Sequence, residues 1–186
     1  MVAATIDKGN KMSEKIEVKI ERMYPDVVVP MYKHPDDSGM DVRAYFSDEW
    51  MKKNSFEKEA NDLKIEDRAF TLDEGGRVII ATGIRVAIPS GYEIQVRPRS
   101  GMAIKQGLTV LNTPGTVDAG YRGELGIIVY NTNVVNMWKS GKVTIKHGDR
   151  IAQIVLQRVP QIEWVEVDSV DNSQRGEGGF GSTGIG

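Results

Sequence analysis

Five short stretches hold the residues whose types and spacing could do chemistry. The last is Arg175-Gly176-Glu177-Gly178-Gly179-Phe180-Gly181-Ser182-Thr183-Gly184, with five glycines, one ring, one arginine and two hydroxyls in ten positions. Glycine loses the most backbone freedom on ordering, so this stretch builds neither core nor helix. It can wrap a ligand, because its backbone approaches phosphate closely. Arg175, Ser182 and Thr183 can donate to phosphate oxygens, and Phe180 offers a flat face to a base. Taken alone it reads at least as readily as a floppy glycine-rich chain end. A second stretch runs from Pro98 through Arg99, Ser100 and Gly101 to Gly107. Its middle predicts one short helix whose first turn offers backbone N–H groups and a hydroxyl beside Arg99, a seat for an anion. The other three are Ser38-Gly39-Met40-Asp41, the run from Asn112 to Gly123, and Gly148-Asp149-Arg150-Ile151-Ala152-Gln153. Each has a bland reading when taken singly: a turn, a helix start, a loop, a turn before a core strand.

The elements that must position these stretches are mostly strands. Ile16-Glu17-Val18-Lys19-Ile20-Glu21 alternates apolar and charged residues, the period of a half-buried strand. The same period marks Met40 to Ala44, Tyr92 to Arg97 and Ile162 to Val167, while Val27 to Val29 is a short extended piece. Apolar strands are expected at Arg77 to Gly83, Ile84 to Ile88, Ile127 to Tyr130, Val143 to Ile145 and Ile151 to Leu156. A hairpin-like stretch spans Leu108 to Gly126, broken by Pro114-Gly115 and Ala119-Gly120. The segment 47–70 is rich in charge and irregular in its apolar spacing, and reads as a surface insertion with one short helix near Asp48 to Asn54. About ten short strands and at most two short helices argue an all-β sandwich or barrel. The expected division is a disordered leader or cloning remnant at 1–14, one β domain at 15–168, and a flexible glycine-rich C-terminal arm at 169–186.

Composition narrows the chemistry. The chain has 186 residues and 40% apolar content, enough for one domain with its own core. A net charge of −2 gives no reason to expect a nucleic-acid polymer as partner. The absence of cysteine removes disulfides, thiolate metal sites and cysteine nucleophiles, and suits a reducing compartment. His34 and His147 are the only histidines, too few for a three-histidine metal site. No apolar run reaches membrane-spanning length, so no membrane partner is expected and the expected location is the cytoplasm, or the host cytoplasm for a virus- or phage-encoded chain.

Taken together, the order, spacing and composition of the five stretches resemble the five motifs of the trimeric deoxyuridine triphosphatase (dUTPase) family. The closing glycine-rich string and the Asn112…Gly115…Asp118…Tyr121…Gly123 string carry the resemblance most specifically. It implies an all-β, distorted jelly-roll (β-clip-like) subunit, a homotrimer with shared active sites, and an enzyme that splits dUTP into dUMP and pyrophosphate. It implies that Asp118 activates the attacking water and that Tyr121 packs on the deoxyribose, excluding a 2′-hydroxyl. Asn112 and the backbone of Gly115, Thr116 and Val117 would read uracil. Arg99, Ser100, Gly101 and Gln153 would bind the phosphate chain, and Asp41 would hold Mg²⁺ through water, in keeping with the oxygen preference of that cation. Arg175, Gly181, Ser182 and Thr183 would close over the γ-phosphate, with Phe180 covering the base.

Ser38 stands where the family usually has alanine, and Ala119-Gly120 where many members carry larger polar residues; neither position is catalytic by resemblance. The segments 47–70 and 131–141 are longer than in minimal members. Two other functions stay open at this point: a dCTP deaminase-like relative, and a regulatory, nucleotide-dependent binder of a protein partner that uses the 47–70 insertion.

Overall fold

The structure is a computed structural model and describes residues 14–55, 63–64, 68–134 and 141–178. In chain order the described elements are β1 (Lys19–Arg22), β2 (Met40–Arg43), α1 (Asp48–Ser55), β3 (Leu63–Lys64), β4 (Ala69–Leu72), β5 (Arg77–Ala81), β6 (Ile84–Ala87) and β7 (Tyr92–Arg97). They continue with α2 (Ser100–Gln106), β8 (Leu108–Val110), β9 (Gly115–Val117), β10 (Gly126–Asn131), β11 (Val143–Lys146) and β12 (Arg150–Arg158). The strands form four small sheets in the orders β1-β6, β5-β10-β8, β11-β4-β3 and β2-β12-β7-β9. Every pairing is antiparallel and most join strands far apart in sequence, such as β2 with β12 and β5 with β10. This nested pairing makes the all-β, jelly-roll-like subunit.

The alternation of β7 shows how residues set this architecture. Ile94 and Val96 are buried, while Glu93, Gln95 and Arg97 share the opposite, wetter face. They line up with Leu156 and Ile154 of β12 on one side and Val117 and Gly115 of β9 on the other, so one face of the four-stranded sheet is core and the other is polar. Phe46, Ile80, Leu108, Ile127 and Val129 of the remaining elements complete the core, each 1% exposed or less.

Three expectations change here. The 47–70 segment is not purely surface. Ser47 caps α1 by accepting the Trp50 N–H at 3.1 Å, with acidic residues in the first turn and lysines in the last. The helix then lays Trp50 on Phe46, at 4.5 Å between ring centroids, and edge-on to Phe70 at 5.5 Å, while Met51 is 2% exposed. At the other end of the segment, Ala69 and Phe70 belong to β4 and are buried. Its irregular apolar residues are spaced to fill one gap in the core rather than to follow one helical face. Met51→Ala should therefore cost about 2–5 kcal/mol of stability, measurable by denaturant unfolding. A loss under about 0.5 kcal/mol, the range of surface substitutions, would return α1 to the status of a surface decoration.

The second change is at 162–167, where alternation predicted a strand. The last strand ends at Arg158, and this segment is irregular and open to solvent: Ile162, Trp164, Val165 and Val167 are 57–86% exposed. Alternation prepares two faces, but a strand also needs a neighbour for its N–H and C=O groups, and none stands beside it in the sheets of the described residues. Val27 to Val29 likewise pairs with nothing in the described sheets, though Val27 is buried. The third is the hairpin at 108–126. Its two arms part company, β8 pairing with β10 and β9 with β7.

Neither histidine is placed for catalysis by its neighbours. His147 Nδ1 accepts the Phe46 N–H at 3.1 Å, and its ring meets Tyr45 edge-on. His34 sits in an exposed turn where its backbone N–H donates to Asp37.

Candidate active site

The polar face of the four-stranded sheet carries the first group of expected site residues. Asp41 of β2, Gln153 of β12 and Arg97 of β7 are register partners on three adjacent strands, so their side chains leave the same face. Just past β7 the chain turns into α2, which begins at Ser100. The first helical bonds run from the Met102 and Ala103 N–H groups to the Arg99 carbonyl, so the Ser100 and Gly101 N–H groups precede the ladder and point out of the helix start. Ser100 and Gly101 are exposed.

Asp41 is the hub of this corner. Its Oδ1 accepts from Arg99 Nε at 2.7 Å and its Oδ2 from Arg150 Nη1 at 3.1 Å. Arg99 Nη1 also donates to the Arg150 carbonyl at 3.3 Å. The Gln153 amide donates to the Pro98 carbonyl at 3.0 Å, which holds β12 to the turn that launches α2. Gly39 lies close beside it: a Cβ there would come within 2.9 Å of Gln153 Oε1 and would push the amide from this position. Ser38, the departure from the family pattern, is exposed and meets none of these groups through a recorded hydrogen bond.

The second group lies at the end of β9. Asn112 sits on the exposed turn before it, and its amide lies so near Gly115 that an added Cβ would be 3.0 Å from Nδ2. Gly115 and Val117 turn inward and Thr116 outward, so only the backbone of Val117 can face a ligand. Asp118 follows, exposed. A turn closes from the Tyr121 N–H to the Asp118 carbonyl at 3.0 Å, and Tyr121 Oη donates to the Glu124 carbonyl at 2.9 Å. That bond lays the tyrosine ring across Gly123, where a side chain would collide with the phenol. Tyr121 is thus fixed at both ends, yet 46% exposed.

One chain does not bring the two groups together. Asp118 is one residue beyond Val117, the partner of Ile94, and so is level with Glu93; Asp41 is level with Arg97. At about 3.3 Å per residue and about 4.8 Å per strand, four residues along and three strands across put Asp118 about 20 Å from Asp41. Arg175 stands apart from both, its Nε donating to the Gly178 carbonyl in an exposed turn. Phe180, Gly181, Ser182 and Thr183 lie outside the described residues.

Arg150 escaped the reading of the sequence. It is three residues from Gln153, and in a regular strand that odd spacing would put the two on opposite faces. A one-residue bulge at Ile151 corrects this: Arg150 pairs with Arg43 and Ala152 with Val42, so Arg150 joins Asp41 and Gln153 on the polar face. The available signal was the pair of consecutive apolar residues Ile151-Ala152, both buried, which breaks strict alternation.

The model of the dUTPase family matches residues 53–184. The chain belongs to the dUTPase family. It is 44% identical over 171 residues to a protein of Fusobacterium nucleatum named deoxyuridine 5′-triphosphate nucleotidohydrolase, covering 92% of this chain and 99% of that one. A Desulfotalea psychrophila protein of the same name is 54% identical over 119 residues, 64% of this chain and 75% of that one. Among solved structures, the Staphylococcus bacteriophage 80alpha dUTPase with dUPNHPP superposes with a TM-score of 0.71 at 25% identity, over 92% of this chain and 100% of that one. A mutant dUTPase from phage phi11 of S. aureus, whose structure reveals the coordination of a structural Mg(II) ion, gives a TM-score of 0.66 at 21% identity over 84% of this chain and 100% of that one. The dUTPase fold therefore accounts for the nested antiparallel sheets.

Proposed function

We propose that this chain hydrolyses dUTP to dUMP and pyrophosphate in sites assembled from several copies of itself. The observation that carries the reading is the Asp118–Tyr121 turn, which holds an exposed aspartate three residues before an anchored, half-exposed tyrosine and just after the Asn112–Gly115 turn in the chain. Asn112 presents both a donor and an acceptor, the complement of a uracil edge, and a close-fitting pocket at Gly115 would reject the thymine methyl by size. The ring of Tyr121 packs against the deoxyribose where a 2′-hydroxyl would stand.

Asp118 is the general base. It takes a proton from a water as that water's oxygen bonds to the α-phosphorus; the bond from the α-phosphorus to the α,β-bridging oxygen breaks, and pyrophosphate leaves. Arg99, the Ser100 hydroxyl, the N–H groups of Ser100 and Gly101, and Gln153 hold the phosphate chain in line. The tail residues Arg175, Gly181, Ser182 and Thr183 cover the γ-phosphate and Phe180 the base, which keeps bulk water out.

A magnesium ion fits this corner only loosely held by protein. No cluster of three or more His, Cys, Asp or Glu groups exists among the described residues. Both oxygens of Asp41 already accept an arginine hydrogen bond, and each retains a further lone pair. Asp41 therefore suits a contact through water, with substrate phosphates as the direct ligands. When bound there, the ion neutralises charge on the departing pyrophosphate.

The 20 Å gap between Asp118 and Asp41 supports assembly from separate copies, and a homotrimer is the family's arrangement. The exposed, strand-patterned segment around Ile162, Trp164 and Val167 supports an arm that leaves its own subunit to lie on another. On this reading the β domain closes at Arg158 rather than at 168, and the arm begins directly after it. No helix among the described residues is long and apolar enough to cross a membrane, in keeping with a cytoplasmic enzyme acting on free nucleotide.

The test is pyrophosphate release from dUTP, dCTP, dTTP and UTP with Mg²⁺. The expected result is release from dUTP at least about 10²-fold faster than from the others, as a site that reads hydrogen-bonding edges achieves. Comparable release from UTP would remove Tyr121 from its role. Ammonia release from dCTP would favour the deaminase-like alternative.

A further inference from the structure

We propose that Asn133 is a positioning residue for this site, holding the far end of α2 so that Arg99, Ser100 and Gly101 keep their places at its start. The inference rests on the dUTP-hydrolysing reading above and adds a residue which that reading does not use. α2 has seven residues, and Met102 alone among them is buried. A helix so short is marginal by itself, so its position is set by what its ends are tied to. At its start the ties are the bonds of Arg99 to Asp41 and of Gln153 to the Pro98 carbonyl. At its end the last carbonyls lack partners within the helix. The Asn133 amide donates to the Gln106 carbonyl at 2.8 Å, and the Thr132 N–H and hydroxyl each donate to the Gly107 carbonyl at 2.8 Å. Gly107 closes α2 in the left-handed region, at φ 67°, and a Cβ there would come within 2.4 Å of Asn133 Oδ1. The asparagine is therefore packed directly against the end of the helix.

Asn133 is itself held from the core. Asn131, at the end of β10 and fully buried, accepts the Asn133 backbone N–H at 3.1 Å and the Asn133 side-chain amide at 2.9 Å on its Oδ1. Its own amide donates to the carbonyls of Leu72, Asp73 and Gly141, which anchors the pair to the end of β4 and to the chain returning at Gly141. A role for Asn133 confined to closing the chain at Gly141 is unnecessary. The bond of its amide to the Gly141 carbonyl is long, 3.2 Å, and Gly141 is already held by Asn131 at 2.9 Å and by Glu74 at 2.6 Å. The Gln106 carbonyl, by contrast, has no other recorded donor among the described residues.

The experiment is titration calorimetry of wild type and Asn133→Ala with dUMP and with the imido analogue of dUTP, each with Mg²⁺, joined to amide hydrogen exchange on both proteins. Asn133→Ala should bind the analogue about 10-fold more weakly, the scale of one lost hydrogen bond, with dUMP affinity within about 2-fold of wild type because dUMP lacks the outer phosphates. Exchange at Met102, Ala103 and Gly107, whose N–H groups bond within α2, should quicken, while Ile127 and Val129 of β10 keep their wild-type rates. Equal weakening for both ligands, no weakening for the analogue, or faster exchange in α2 and β10 alike would overturn the assignment. Should Asn133→Ala fail to fold by thermal unfolding, the wild-type protein decides. By reciprocity the analogue must then slow exchange at Gly107 and Thr132 more than dUMP does, and equal rates with the two ligands would overturn the proposal. A wild-type protein that binds the analogue no more tightly than dUMP would instead overturn the dUTP reading itself.

Discussion

Asp118→Asn should lower kcat for dUTP by about 10²- to 10⁴-fold, the range associated with removing a positioned general base. The substitution keeps the shape and removes the negative charge and the basicity. Asp118 is exposed, and the contact that shapes its turn is the bond from the Tyr121 N–H to its backbone carbonyl, which asparagine preserves. Stability should change by less than about 0.5 kcal/mol, as for other surface substitutions. The tyrosine stays anchored through Glu124, so dUTP should still bind with near-normal affinity. A fall in kcat without a rise in Kd separates loss of chemistry from loss of the pocket. Near-normal turnover would remove Asp118 from the reaction.

Truncation after Gln174 should leave a folded protein with turnover reduced about 10²-fold or more, the scale of losing preorganised donors to developing charge. The described part of the removed piece, residues 175–178, adds nothing to the core: Arg175, Gly176 and Glu177 are exposed, and their recorded hydrogen bonds stay between residues 173 and 178. Thermal unfolding should therefore match the full chain. Binding of dUMP, which lacks the γ-phosphate, should suffer less than binding of dUTP. Full activity in the truncated protein would show that the tail covers no part of the nucleotide.

The elements were legible where local pattern and tertiary environment agree. Tyr92 to Arg97 alternates and became β7; Asp48 and Ser100 each open a short helix as expected. Breakers, hydroxyls and charged groups marked the five stretches, but the roles expected of Asp41, Ser100, Asn112, Asp118, Tyr121 and Gln153 came from the resemblance to the dUTPase family. What stayed hidden depends on pairing between distant strands. Ile162 to Val167 has the period of a strand, but among the described residues no strand stands beside it. Arg150 reaches Asp41 through a bulge that only the β2–β12 register reveals. Met51 and Phe70 lie in a charged segment that looks like surface, yet both are buried, Phe70 edge-on to Trp50, which in turn stacks on Phe46. The distance between Asp118 and Asp41 is hidden for the same reason: sheet order places β9 and β2 on opposite edges.

That separation makes the central claim, a site built across subunits, directly measurable by complementation. Asp118→Asn and Arg99→Gln proteins, each nearly inactive alone, are unfolded, mixed in equal amounts and refolded together. If Asp118 of one copy works with Arg99 of another, each mixed trimer holds one site with both residues intact, and random assembly should restore about a quarter of wild-type activity. Activity no greater than that of the two parents would contradict the account and place the whole reaction within a single chain.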